Sequence, residues 1–168
     1  MRKAILSVIL AFVFMTALCA PALSENQPAG TELYIKHSDG SAEIVYSDGT
    51  KLVLSAPYSD SPSPKNVTST TFTSRRDATI ENSDGTVACK FTLTARFTYE
   101  YGVSSACIGT SHTYNVYDDK WSYKSGSSSY SGNTATGAAT FTKKLFLFIT
   151  QDHVVNISLT CDKYGNVI

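Results

Sequence analysis

Charge of either sign is scarce in this 168-residue chain, with 14 lysines and arginines, 14 aspartates and glutamates, and only 17% of residues charged. A formal net charge of zero removes the electrostatic case for nucleic acid, which needs a surplus of cations to neutralise phosphates. Histidine is as thin. His37, His112 and His153 stand far apart, and none forms a close-spaced pair of the kind that sets two imidazoles on one metal. No Gly-x-Ser-x-Gly elbow and no phosphate-cradling glycine loop is present. Asp118 and Asp119 are adjacent, so on a strand they face opposite sides and cannot share acid–base work; a turn after a strand explains them. Without these constellations the expectation is a chain that is no enzyme, with no metal and no cofactor. No helix of normal length suggests itself.

Long apolar runs are also missing, save one. Arg2 and Lys3 precede an apolar stretch from Ala4 to Ala17, followed by the small residues Ala20, Ala22 and Ser24. This is the build of an export signal, too short for the roughly 20 residues of a membrane-crossing helix. The reading is a signal peptide at residues 1–24, cleaved after Ser24 or Ala22, and a secreted, extracellular product with no integral membrane segment left after cleavage. Removing it takes two basic residues and no acidic one, leaving 12 against 14 and a net charge of about −2. The remaining 144 residues suffice for one domain with a small appendage.

What is abundant is Ser, Thr, Tyr, Val and Phe, the balance of pleated, half-buried surfaces. Ser-Asp-Gly occurs at 38–40, 47–49 and 83–85, each time between stretches that favour extended chain. Asp-Gly there signals a hairpin: glycine takes the positive φ of a tight reversal and aspartate bonds back to the local backbone. The first two turns separate Leu33–His37, Ala42–Tyr46 and Lys51–Leu54, so residues 25–55 are expected to hold a short three-stranded β-meander. Residues 56–65, with Pro57, Pro62 and Pro64 among serines, read as a connector, because proline lacks the donor a ladder requires.

From residue 66 to 168 the pattern predicts an antiparallel β-sandwich, immunoglobulin-like in class. Its spine is Val87–Tyr101, where Val87, Cys89, Phe91, Leu93, Ala95, Phe97, Tyr99 and Tyr101 share one face and polar residues with Ala88 take the other. Burying Phe91, Leu93 and Phe97 contributes roughly 1.5 to 3 kcal/mol each. Further strands are read at Ser105–Tyr117, Trp121–Tyr130, Thr134–Thr142 and Val154–Cys161.

Of four cysteines, Cys89, Cys107 and Cys161 survive cleavage. In an oxidising compartment two are expected to pair: Cys107 with Cys161, tying an early strand to the last, or Cys89 with Cys161, both on the apolar parity of their strands. Two other features bear on function. Trp121 and Tyr123 share a strand face and, with Tyr117, are candidate ligand-binding rings on which a carbohydrate could stack if they face solvent; otherwise Trp121 fills the core. Leu145 to Ile149 are five consecutive apolar residues after Lys143-Lys144. Burial under the meander is the expected arrangement, and exposure would make the run a partner-binding or membrane-touching patch.

The segments Gly102-Val103-Ser104-Ser105, Tyr114-Asn115-Val116-Tyr117-Asp118 with Trp121, Ser131-Gly132-Asn133-Thr134-Ala135-Thr136-Gly137 and Leu159-Thr160-Cys161-Asp162 resemble small secreted β-sandwich proteins of Gram-positive bacteria. The resemblance covers residues 101–168; it implies an exported bacterial sandwich and supplies no site residues, the function of those proteins being uncharacterised. The functional expectation is a secreted, non-enzymatic binding or interaction module with carbohydrate or an extracellular protein as partner. The alternative is a secreted antagonist, a bacteriocin-like toxin or inhibitor, working through an unpaired cysteine and the 145–149 run.

Overall fold

The structure, a computed structural model, describes residues 31–59 and 70–168; the signal segment 1–24, residues 25–30 and most of the 56–65 connector lie outside the described residues. Ten strands follow in chain order: β1 (Thr31–Lys36), β2 (Ala42–Tyr46), β3 (Lys51–Leu54), β4 (Tyr58–Ser59), β5 (Thr70–Glu81), β6 (Val87–Glu100), β7 (Ser104–Val116), β8 (Trp121–Ser131), β9 (Thr134–Phe146) and β10 (Ile149–Thr160). They form two antiparallel sheets, one of seven strands running β1-β2-β3-β5-β6-β7 with β4 on β5, the other of three running β10-β9-β8. The expected sandwich is therefore present, with strands in sequential rather than Greek-key order within each sheet.

The turns that produce this order are those the sequence marks. Gly40, Gly49 and Gly85 hold φ of 87°, 77° and 82°. In each turn the preceding aspartate carboxylate accepts the backbone N–H two residues on, from Ser41, Thr50 and Thr86, at 2.9 Å. The meander is not a separate unit: β3 pairs with β5, Leu54 opposite Ala78, and makes the meander the outer part of the larger sheet. The connector contains one short strand after all. Tyr58 and Ser59 pair with Arg75 and Ser74, so β3 and β4 lie end to end along one edge of β5, β4 fitting just after Pro57 where no donor is lost.

The core is the space between the sheets, and β6 fills it as expected from Cys89 to Tyr99; Val87 and Tyr101 at its ends are exposed. Opposite stands β9, whose inward row of Ala135, Gly137 and Ala139 is small where the facing Phe91 and Leu93 are large. A Cβ at position 137 would lie 3.0 Å from Phe91 Cε1 and 3.1 Å from Leu93 Cδ1, so glycine sets the approach of the two layers. Val155, Ile157 and Leu159 of β10 complete the inner face.

Side chains close both flanks. Between β7 and β8, Tyr114 stacks on Tyr123 at 3.6 Å and His112 Nδ1 meets Ser128 Oγ at 3.1 Å. On the other flank Arg76, on the inward row of β5, donates to three backbone carbonyls: Ser55 at 3.0 Å, Gly40 at 2.6 Å and Ser158 of β10 at 3.3 Å. One guanidinium thus ties the first hairpin turn, the segment after β3 and the opposite sheet to β5. This strand escapes a reading by alternation, because Ser74 and Arg76 stand on the face that should be apolar.

Gly137→Val should overpack the seam between Phe91 and Leu93 and cost about 1–3 kcal/mol. Urea unfolding would register this as a lower midpoint at unchanged slope; an unchanged midpoint would show that the sheets are not held apart by residue 137.

Candidate functional site

The three rings proposed as a ligand platform do not meet. Trp121, 4% exposed, is a core residue, its Nε1–H donating to Asn82 Oδ1 at 3.1 Å and its ring 4.8 Å from His153. Its face is therefore closed to a sugar, which corrects the stacking reading; strand parity placed it right, and the second sheet decided that this parity is the dry one. Tyr123 points the same way and is consumed in the stack with Tyr114, its edge on Phe141 at 5.7 Å. Tyr117 alone is open, in a shallow depression with Thr79, Val87 and Lys90 on the outer face of the larger sheet.

All three described cysteines are buried and unbonded, so neither expected bridge is formed. The Cys89 alternative also fails on distance. Ser105, which pairs with Tyr99, donates to the Cys161 carbonyl at 2.7 Å, whereas Cys89 lies ten residues back along β6 from Tyr99, about 33 Å at strand rise. Burial, with Asp118 nearby, pushes the Cys89 thiol up to about 12; burial, with Asp162 and Cys107, pushes Cys161 to about 11. Neither is a thiolate at neutral pH, so neither serves as a nucleophile.

The histidines occupy three unrelated settings, and among the described residues no group of three metal-ligating side chains occurs. His37 lies in the first hairpin turn and His112 on the β7–β8 flank. His153 is a core residue: it is 1% exposed, both ring nitrogens are without a hydrogen-bond partner, and it is wedged between Tyr46 at 5.0 Å and Trp121. It continues the inward row of Val155, Ile157 and Leu159, a parity that the sequence shows. Next to it Lys143 Nζ reaches Asp48 at 2.9 Å and Thr50 Oγ1 at 3.0 Å, pinning the second hairpin turn to β9. Burial works against ionised Asp48, but hydrogen bonds from Lys143 and Thr50 hold its carboxyl below the ordinary value.

What is open to solvent is the end of the β9–β10 ribbon. Phe146 pairs with Ile149 across a two-residue turn, Leu147-Phe148, that projects beyond the start of β8. Leu145, Phe146, Leu147, Phe148 and Ile149 are 49%, 69%, 82%, 95% and 59% exposed. Burial of this run under the meander is thus overturned: the turn between β2 and β3 meets β9 at Lys143, and the residues beyond it are exposed. The turn is atypical in chemistry as well. Leu147 holds φ of 32°, among the described residues the one non-glycine with positive φ, at a reversal where glycine, asparagine or aspartate carries no such penalty. A groove of about 850 Å³ lies elsewhere, lined by a mixture of polar and apolar residues that includes Tyr34, His37, Leu54, Asn156, Ile157 and Ser158.

Comparisons with family models, curated proteins and solved structures find no match to this chain. Among the described residues no helix is long and apolar enough to cross a membrane.

His153 generates a pH prediction. Burial, only partly offset by Asp48 and Asp152, lowers its folded value to about 4 from 6.5. Above pH 6.5 the ring is neutral folded and unfolded, and it adds no pH dependence. As the pH falls from about 6.5 toward 4 the unfolded chain takes up a proton that the folded one refuses, and stability drops by about 3 kcal/mol. Melting curves should therefore show wild type losing more stability over this window than His153→Phe, and parallel losses would contradict the burial argument.

Proposed function

We propose that this chain is an exported, non-enzymatic interaction module that engages its partner through the β9–β10 hairpin tip. The observation that carries the reading is the exposure of five consecutive apolar residues at the end of the hairpin, where Leu147 and Phe148 are the two most exposed large hydrophobics among the described residues. Isolated exposed hydrophobes are normal on any surface, but a contiguous apolar projection marks a contact site. Its retention in water costs solubility and, through Leu147, backbone strain. The rest of the fold supports a scaffold role: two sheets clamped at both flanks present the hairpin from a rigid base.

A reading as a carbohydrate binder has less support, since Trp121 and Tyr123 are engaged internally. The reading as a secreted antagonist draws on the same hairpin tip; the cysteines lend it little, all three being buried and the thiols of Cys89 and Cys161 being raised by that burial. Export is supported by the charged start, apolar run and small residues of segment 1–24.

Two measurements check this. N-terminal sequencing of product recovered from the culture medium should begin at Glu25 or Leu23, and retention of Met1 inside the cell would sink the export reading. An anilinonaphthalene-sulfonate dye should brighten on the wild-type protein and severalfold less on Phe146→Asp, with the thermal midpoint little changed because the side chain is 69% exposed. Equal brightening of both would remove the tip as the contact surface.

A further inference from the structure

We propose that the partner of the hairpin tip is a lipid bilayer, into whose interface the tip inserts; this rests on the reading of the tip as the contact surface. The first argument is shape. Consecutive strand residues face opposite sides, so an apolar run from Leu145 to Ile149 makes both faces of the ribbon and its end apolar at once. A protein partner covers one face of a projecting ribbon, whereas a hydrocarbon medium contacts it all round.

The second argument is depth. From Leu145 to the reversal at Leu147-Phe148 the ribbon advances about 7 Å at strand rise. That matches the roughly 5–10 Å to which interfacial elements penetrate and falls far short of the ~30 Å hydrocarbon core. The short reach also solves the backbone problem: Phe146 and Ile149 pair with each other, and only the two-residue turn passes below the headgroups.

The third argument is what lies behind the tip. Lys144 donates its backbone N–H to the Lys120 carbonyl at 2.7 Å, so two exposed lysines stand side by side at the base, where their stems can lie along apolar surface and their ammonium groups stay in the headgroup layer. Asp118 and Asp119 share the Lys120 turn, so this collar carries no net positive charge and the apolar tip supplies the attachment. Finally, the turn accepts Leu147 at positive φ and Phe148 almost fully in water, a choice that water penalises and a bilayer rewards.

The experiment is co-sedimentation of the whole recovered protein with phosphatidylcholine vesicles, with and without one-quarter phosphatidylglycerol. Wild type should pellet with both compositions and gain little from the anionic lipid, and Phe148→Asp should lower the partition coefficient about tenfold or more. Leu147→Asn, which suits the turn, should melt no lower than wild type and still bind less, separating attachment from folding. Phe148→Trp should emit at shorter wavelength on vesicles and be quenched by brominated acyl chains. Failure of wild type to pellet, while the dye still distinguishes it from Phe146→Asp, would overturn the bilayer as partner and leave the tip as a protein contact. Loss of the dye difference as well would overturn the reading of the tip itself. Binding of Phe148→Asp equal to wild type would also reject the proposal.

Discussion

The closeness of the two sheets rests on a size match at their centre, where Phe91 and Leu93 of β6 press against the bare backbone of Gly137 in β9. Large side chains on one layer and small ones on the other bring the sheets together without voids, and dense packing is what turns buried apolar area into a single ordered state. Everything at the periphery inherits its position from that spacing. Trp121 is covered because β8 is held at this distance, and Tyr114 can stack on Tyr123 because the β7–β8 flank closes.

The meander depends on polar links instead. Arg76 gathers carbonyls from the first hairpin turn, the segment after β3 and β10, and Lys143 draws the second turn onto β9 through Asp48 and Thr50. A three-stranded ribbon of this size cannot bury enough surface to stand alone, and joining β5 gives it a sheet to extend. The same links set its limit. Coverage of the second sheet ends near Lys143, and the four residues beyond Leu145 stay exposed among the described residues. The exposed tip is thus where β9 and β10 run past the end of the layer that faces them.

Most of the architecture can be read along the chain. The Ser-Asp-Gly turns and the alternation in β6, β9 and β10 carry strand, turn and dry face at spacings of two to four residues, so local chemistry suffices. Strand β5 is not legible in the same way, since Ser74 and Arg76 interrupt its apolar row, and the reason for them is a set of carbonyls 16 to 82 residues distant in sequence. The candidate site divides likewise. The run at 145–149 and the residues Trp121 and Tyr123 are conspicuous in the sequence, but which are covered depends on where the opposing sheet stops.

By itself, then, the sequence determined the all-β class, the hairpin turns and the inward parity of the main strands, because side-chain alternation and turn chemistry act over neighbouring residues. Only the tertiary structure decided that Trp121 and His153 are inside, that Cys107 and Cys161 are unbonded, and that Phe146 to Ile149 face outward. Burial is a property of two surfaces, and the partner surface for each of these residues comes from a distant part of the chain or, at the hairpin tip, from no part of the described chain.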